Sequence, residues 1–378
     1  MRIFWLISIG IFLFYGCHQH QPQESDPVAN DYAQNFQIER NEDFTKLTVF
    51  NPWGKAKKIS LEYYLVERNR SIPDTLAAQS IIRIPVKRVV CLSTTHIAFL
   101  DALEEIEAVR GVSGLRYISN STLNDRLKRE EVVDVGYGQQ LNYELIVRLD
   151  PDLVMVYGVD SDVTGPVRKL EELGIPAIVI GEYLEESPLG KTEWIKFVGA
   201  LFQKEKEAGV YFNRTEKEYN RLKSMVEANT RRNHVKVPQV MVGSPYRDSW
   251  WVPGGKSYLA NLIADAGGDY LGKKNSSHES YIISFENALA WASEADYWIN
   301  MGNLGSKKEI MASDQRFGKF RVYNQGKIYN NIGRMGIHGG NDFWESGTVN
   351  PQRILQDLIL IFYPGLVEGE LYYYKEIL

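Results

Sequence analysis

The sequence contains few cysteines, with Cys17 and Cys91 as the two in 378 residues. A small fold that depends on several disulfide bonds is therefore excluded. Basic residues form no long stripe and the net charge is −5, which argues against nucleic acid as a partner. Tyrosine and tryptophan are frequent by contrast, with 22 and 8 residues. Because 44% of the residues are hydrophobic, a chain of this length can bury a core in each of two lobes.

Catalytic and nucleotide-binding signatures are incomplete. Gly255-Lys256-Ser257 resembles the end of a phosphate-binding loop, but Trp250 occupies the position of its first glycine. The glycines of residues 136–138 lack the third glycine of a dinucleotide-binding loop, and residues 111–114 lack the spacing of a nucleophile elbow. The zinc-protease motif HExxH does not occur. These absences favour a protein that performs no chemistry of its own.

The N-terminus has the pattern of an export signal. Arg2 precedes an apolar run over residues 3–15, which is shorter than the roughly 20 residues that span a membrane. The segment from Phe14 to Cys17 resembles a bacterial lipobox in which Phe14 replaces the usual leucine. We therefore expect residues 1–17 to be a lipoprotein signal, with Cys17 lipidated and the protein anchored on the outer side of a bacterial membrane. A cleaved soluble signal and a plain anchor helix are the alternatives.

Residues 18–30 are polar and rich in glutamine, which predicts a flexible tether. If Cys17 carries lipid, Cys91 is the one thiol left in the mature chain, so an internal disulfide cannot form. Cys91 lies in the apolar run 89–92, which predicts a buried strand residue rather than a nucleophile.

Residues 31–84 are predicted to form a small β-rich extension. Leu47 and Val49 alternate with polar residues, as do Ile59, Leu61 and Tyr63, which is the period of a strand with one buried face. The turn residues 51–54 separate the two runs. The role of this extension stays open.

Residues 85–190 alternate short apolar strands with amphipathic helices. The predicted strands cover residues 86–92, 132–136, 153–157 and 177–180, and the predicted helices cover residues 94–105, 143–149 and 167–173. This rhythm is typical of a parallel, doubly wound sheet. We expect it to form the N-terminal α/β lobe.

A long helical stretch and a second α/β region follow. Residues 191–233 contain few helix breakers and predict connector helices, the second of which runs over residues 204–232. The strand–helix rhythm restarts in residues 234–378, with strands predicted at 239–243, 295–301 and 321–329 and helices at 258–266 and 352–362. The predicted fold class is therefore α/β, with two doubly wound lobes that one long helix joins.

The two lobes share a local pattern at the start of one helix each. Asn142 is followed two residues later by Glu144, and Ser284 is followed two residues later by Glu286. Asparagine and serine are good helix N-caps, and a carboxylate in the first helical turn is favoured by the helix dipole. Two stabilised helix starts that arose by chance are the alternative interpretation.

Segments in both lobes resemble the binding proteins that serve ABC importers of iron-siderophores, haem and cobalamin. The matching segments are Lys87 to Ser93, Leu149 to Val154, Leu173 to Pro176 and Ala266 to Gly268, in the order and spacing of that family. The resemblance implies two lobes on one long helix, a monomer without a covalently bound cofactor, and delivery of a metal chelate to a dimeric permease. It also implies that Glu144 and Glu286 dock on arginines of that permease.

Loops at the carboxyl ends of parallel strands bind the ligands of doubly wound folds, so residues there are candidates. The predicted ligand-binding residues are Thr95, His96, Tyr117, Tyr137, Tyr157, Tyr246, Trp250, Trp251 and Trp344. Aromatic faces with a few polar groups suit a large flat chelate such as a ferric siderophore, cobalamin or haem. Core packing is an equal alternative for Trp250 and Trp251, and a polar loop position is the alternative for His96.

The histidines and carboxylates are not spaced as a metal site, so no bare metal ion is predicted. An exported hydrolase is the alternative function. It would use cleft carboxylates such as Asp342 and Glu345 as an acid–base pair.

Overall fold

A computed structural model describes residues 29–54, 56–76, 81–158, 164–233, 236–246 and 249–378. The predicted signal, Cys17 and nearly all of the predicted tether lie outside the described residues. Lipidation of Cys17 therefore stays a prediction. Among the described residues, no helix combines the length and the hydropathy that crossing a membrane requires.

The first structural unit is a four-stranded sheet that packs against the N-terminal lobe. It contains β1 (Phe36–Arg40), β2 (Thr45–Phe50), β3 (Ser60–Glu67) and β4 (Ile81–Ile84), in the order β1-β2-β3-β4. β1, β2 and β3 are antiparallel, whereas β4 runs parallel to β3. Its buried face continues into the lobe, where the Phe36 ring meets the Trp194 ring edge-on at 4.9 Å between centroids.

The N-terminal lobe is built on a parallel sheet. Its strands are β5 (Val89–Cys91), β6 (Val109–Val112), β7 (Val133–Asp134), β8 (Leu153–Val156) and β9 (Ala177–Val179), in the order β7-β6-β5-β8-β9. Its helices are α1 (Thr94–Ala102), α2 (Ser121–Lys128), α3 (Tyr143–Leu149), α4 (Thr164–Glu172) and α5 (Pro188–Leu201). The strand order reverses between β5 and β8, which marks the place where such sheets bind ligands.

One long helix joins the two lobes. α6 (Glu205–Asn233) has 29 residues and is therefore about 44 Å long. Near its start, Ala208 and Phe212 are fully buried in the core of the N-terminal lobe. Two turns later, Tyr219 and Leu222 are buried in the core of the C-terminal lobe. The long helix predicted over residues 204–232 is thus confirmed, and it is buried in both cores, whereas the other predicted connector helix, α5, packs in the core of the N-terminal lobe.

The C-terminal lobe contains two sheets. One has the order β13-β10-β15-β16-β17, with β10 (Gln239–Val242), β13 (Asp269–Tyr270), β15 (Tyr297–Ile299), β16 (Lys327–Asn330) and β17 (Lys375–Glu376). The other is antiparallel and contains β11 (Pro245–Tyr246), β12 (Ser249–Val252) and β14 (Tyr281–Ile283). The helices are α7 (Tyr258–Asp265), α8 (Phe285–Glu294), α9 (Lys307–Ser313), α10 (Arg321–Gln325) and α11 (Pro351–Phe362).

Two predictions about this lobe need correction. The strand predicted over residues 321–329 begins as the short helix α10, and the strand β16 starts only at Lys327. The helix forms because Val322 and Phe320 enter a buried aromatic cluster on the helix side of the sheet. The antiparallel sheet β11-β12-β14 was not predicted at all, because its strands have two to four residues and carry little periodic signal.

Two buried carboxylates hold the irregular segment that precedes β1. Glu193 accepts hydrogen bonds from the backbone amides of Asp31 at 3.0 Å, and of Tyr32 and Ala33 at 2.8 Å. Glu185 accepts from the amides of the next two residues, Gln34 and Asn35. These amides have no strand partner, so the carboxylates supply the acceptors that buried backbone needs. The segment is thereby fixed against α5.

We predict that Glu193→Ala lowers the free energy of unfolding by about 3 kcal/mol, because it leaves three backbone amides without their acceptor and removes the hydrogen bond from Lys196. Urea denaturation measures the change. Glu227→Ala is the control, since Glu227 forms an exposed ion pair with Arg231 on α6 and should cost less than about 0.5 kcal/mol. Equal losses for both variants would contradict the assignment.

Candidate functional site

A cavity of about 330 Å³ opens at the carboxyl ends of β5 and β8. Both halves of the chain line it, and the lining residues are Leu92, Ser93, Thr94, Ser113, Tyr117, Tyr137, Tyr157, Asn303, Gly339, Asn341 and Trp344. The cavity therefore lies where the strand order of the N-terminal sheet reverses, and the C-terminal half closes it from the other side.

A larger groove of about 740 Å³ lies elsewhere, between the four-stranded sheet β1-β2-β3-β4 and the helices α6 and α7. Tyr32 and Trp53 line one side of it, and Lys223 and Asp265 line the other. Among its described lining residues, none belongs to the aromatic loops that follow β6, β7 and β8. We place the candidate site at the smaller cavity because aromatic and polar groups of both lobes converge there.

Three tyrosines form the wall of the N-terminal lobe. The rings of Tyr117 and Tyr137 lie 5.2 Å apart at 45°, and both stay exposed. The Arg116 guanidinium stands 4.7 Å from the Tyr117 ring centre and donates a hydrogen bond to its hydroxyl at 2.6 Å. Burial, followed by the hydrogen bond with Tyr137, raises the pKa of Tyr157 far above its ordinary value. Tyr157 is consequently a neutral phenol at neutral pH.

The opposite wall comes from the C-terminal half. The Trp344 side chain is 53% exposed, and its ring meets Phe343 edge-on at 4.7 Å between centroids. Gly339, with φ of 92°, makes the turn that brings Asn341 and Trp344 to the cavity. Asn303, which follows β15, adds a second amide. The cavity thus brings one indole and three tyrosine side chains together, and its other described lining residues are uncharged.

His96 and Thr95 do not line this cavity, and the prediction for them is corrected. His96 is fully buried in α1, behind the cavity, and its ring lies edge-on to Tyr157 at 6.2 Å. Burial lowers the pKa of His96 to about 3, so the imidazole is neutral. The Thr95 hydroxyl lies 2.9 Å from the Ser93 hydroxyl, which caps α1. The cavity is lined by the preceding residues, Ser93 and Thr94.

The adjacent tryptophans of β12 point to opposite faces of their sheet. Trp250 is buried and stacks on Trp298 and Phe320, with ring centres 6.1 and 6.0 Å away. The prediction that Trp250 contacts a ligand is therefore wrong, and core packing was the correct alternative. Trp251 is 50% exposed, pairs across the sheet with Ile282 and does not line the cavity. Tyr246 lies in β11, but its side chain is outside the described part of the structure.

Glu144 and Glu286 occupy equivalent places on the two lobes. Each is the second residue of its helix, α3 or α8, and each is exposed. The N-cap Asn142 accepts from the Leu145 amide at 2.9 Å, and the N-cap Ser284 accepts from the Asn287 amide at 3.2 Å. Hydrogen bonds from its own backbone amide and from Ser284 lower the pKa of Glu286.

The carboxylates that a hydrolase would use as its acid–base pair already accept hydrogen bonds from other parts of the fold. Glu345 is buried and accepts hydrogen bonds from the backbone amides of Ser119 and Asn120, both at 2.8 Å. Asp342 accepts from the Arg334 guanidinium at 2.8 Å. In the described ranges, no three histidine, cysteine, aspartate or glutamate side chains come together as a metal site.

Reasoning from sequence missed part of the lining. Ser113 follows β6, a strand that was not predicted because Gly111 and Arg110 interrupt its apolar run. Leu92 was assigned to the strand rather than to the cavity, although it directly follows β5. Gly339 has no side chain, and the Gly339-Gly340 pair indicated only a turn before Trp344.

Comparison with known proteins agrees with this geometry. The profile of the periplasmic binding protein family matches residues 89–330. The chain is 28% identical over 299 residues to an uncharacterized lipoprotein of Methanocaldococcus jannaschii, covering 76% of this chain and 68% of the relative. It is 26% identical to an uncharacterized protein of the same organism, covering 85% of this chain and 95% of the relative.

Solved structures share the fold at low sequence identity. A structure of an ABC-type Fe3+-hydroxamate transport system from Saccharomonospora viridis has a TM-score of 0.56 and 17% identity, covering 74% of this chain and 94% of its own. A periplasmic haem-binding protein from Pseudomonas aeruginosa has a TM-score of 0.57 and 16% identity, covering 77% of this chain and 98% of its own. The profile match spans more than half of the chain. This protein therefore belongs to the periplasmic binding protein family, whose members bind solutes and are not enzymes.

Proposed function

We propose that this protein is a lipid-anchored receptor that captures a metal chelate between its lobes and delivers it to an ABC importer. The observation that supports this most is the cavity at the switch point, which Trp344, Tyr117 and Tyr137 line together with uncharged polar side chains. Aromatic faces hold large, flat or apolar surfaces, and the hydroxyls and amides orient them. Lipid on Cys17 and the tether 18–30 would keep the receptor beside the membrane.

The chemistry of the cavity favours a neutral or anionic ferric chelate. Its described lining residues include no carboxylate, and the Arg116 guanidinium lies over the ring of Tyr117. A ferric siderophore or haem carries carboxylate or hydroxamate oxygens that such donors recognise. Cobalamin is the less suitable ligand, because about 330 Å³ is near the lower end of small-molecule sites. The named neighbours that transport Fe3+-hydroxamate or bind haem support this choice.

We predict that the mature protein, residues 18–378, binds haem or a ferric trihydroxamate, and that Trp344→Ala weakens the binding about tenfold or more through loss of one aromatic face. Equilibrium titration followed by absorbance or tryptophan fluorescence measures it.

Trp251→Ala is the matched control, because Trp251 is exposed to a similar extent but lies outside the cavity. It should leave the affinity unchanged. Equal weakening by both variants would place the ligand elsewhere, and no binding of any ferric chelate would refute the proposed ligand class.

We further propose that Glu144 and Glu286 dock on the permease. Both carboxylates are exposed at helix starts, one on each lobe, so their separation reports how far the lobes stand apart. Arginine binds a carboxylate through two parallel hydrogen bonds, which makes such a contact sensitive to geometry. A permease with two equivalent arginine pockets would fit this pair.

The Glu144→Ala, Glu286→Ala double variant should keep its affinity for the chelate while cellular uptake falls at least about tenfold, since two charge-assisted contacts are lost. Uptake of a radiolabelled chelate measures this. The control replaces Glu171 and Glu294 with alanine, because these exposed carboxylates lie at the ends of α4 and α8 instead of the starts. Unchanged uptake in the first double variant would refute the docking role.

A further inference from the structure

Two glycines bring the halves of the chain into backbone contact beside the cavity. A Cβ atom on Gly340 would stand 2.5 Å from the carbonyl oxygen of Tyr117 and 2.6 Å from that of Ile118. A Cβ atom on Gly336 would stand 2.9 Å from the Ile118 carbonyl oxygen. Both positions therefore require glycine, and the segment that contains them lies directly on residues 117–119.

A buried carboxylate completes this contact. Glu345 is only 3% exposed, and its two oxygens accept hydrogen bonds from the backbone amides of Ser119 and Asn120, each at 2.8 Å. Asp342 accepts from the Ser119 hydroxyl at 3.1 Å. The two amides precede α2 of the N-terminal lobe, whereas both carboxylates belong to the C-terminal half. We name these contacts, together with those of Gly336 and Gly340, the Glu345 latch.

The latch adjoins both walls of the cavity along the chain, although its own residues line a separate space. On its N-terminal side, Tyr117 lies two residues before Ser119, and on its C-terminal side, Trp344 directly precedes Glu345. While the latch is formed, these two aromatic side chains are held at one separation. We infer that Glu345 is a positioning residue, which fixes the walls of the cavity against each other through its hydrogen bonds to the Ser119 and Asn120 amides. The role of the cavity as a ligand site rests on the proposed function, whereas the latch itself does not.

Ionisation of Glu345 controls the strength of the latch. Burial raises the pKa of Glu345 to about 7; the two amides oppose this shift and the charge of Asp342 adds to it. The other ionisable side chains around the same space are Asp101 of α1, Arg334 bound to Asp342, and Tyr372. Arg334 neutralises much of the Asp342 charge, and Asp101 is exposed to solvent.

The sign of the pH dependence follows from the raised pKa. An opened latch returns Glu345 to its ordinary pKa of 4.5, so the closed state binds more protons between pH 4.5 and about 7. Closure is therefore most favourable in acid and weakens as the pH rises through 7. With these two pKa values, the closing equilibrium falls about tenfold between pH 6 and pH 8.

Amide hydrogen exchange of the ligand-free mature protein tests the latch directly, because the Ser119 and Asn120 amides exchange only when it opens. Mass spectrometry of a peptide covering residues 115–128 gives their protection, corrected for the intrinsic pH dependence of exchange. We expect the protection to fall about tenfold from pH 6 to pH 8. Protection that does not change with pH would overturn the inference.

Variants test whether the carboxyl group of Glu345 is the group that causes the pH dependence of protection. Glu345→Gln cannot ionise, so its protection should not vary with pH, whereas Glu345→Asp should restore a slope. Asp342→Asn removes the neighbouring charge and should move the fall to lower pH. Glu294→Gln, at an exposed site on α8, should behave like the unmodified protein. A slope that persists in Glu345→Gln would assign it to another group and contradict the latch.

Gly340→Ala offers a test that changes no ionisable group. The added methyl group would collide with the backbone at Tyr117 and Ile118, so protection of the two amides should be lost at every pH. Retained protection in this variant would contradict the contact. All these measurements use protein without ligand. Their outcome therefore does not depend on whether the protein binds haem or a ferric trihydroxamate.

Discussion

The burial of one continuous helix in two separate cores is the constraint on which the rest of the structure depends. Phe212 locks the first half of α6 into the N-terminal lobe, and Leu222 locks the second half into the C-terminal lobe. A helix of 29 residues bends little unless it contains proline, glycine pairs or a bulge, and the single Gly209 lies near its start. The lobes are therefore held at a nearly fixed distance. A ligand site between them must be built from loops that fit this gap.

Several buried carboxylates in this fold accept hydrogen bonds from backbone amides of segments that have no regular secondary structure. Glu193 and Glu185 hold the approach to β1, and Asp357 accepts from the amides of Tyr372, Tyr373 and Tyr374 near the C-terminus. Burial raises the pKa of Asp357 to about 6. These carboxylates fasten chain segments permanently. Glu345 uses the same chemistry between the two halves of the molecule, where it accepts hydrogen bonds from the Ser119 and Asn120 amides.

Most of the fold could be predicted from the sequence, because helices and strands depend mainly on the types and spacing of neighbouring residues. The alternation of strands and helices, the length of α6, and the caps Asn142 and Ser284 were all readable from spacing and residue type. The orientation of Trp250 could not be predicted from the sequence. Adjacent strand residues point to opposite faces, and only the partner strand shows which face is buried. The latch was beyond reach as well: Ser119 and Glu345 are 226 residues apart in the sequence.

We propose that the two lobes hold a ferric chelate in the cavity that Tyr117, Tyr157 and Trp344 line. An X-ray anomalous difference map, recorded at the iron absorption edge from crystals of the protein with its bound ferric chelate, tests this claim most directly. We expect one strong peak inside that cavity. A peak in the groove beside Tyr32 and Lys223, or on the outer surface, would contradict it.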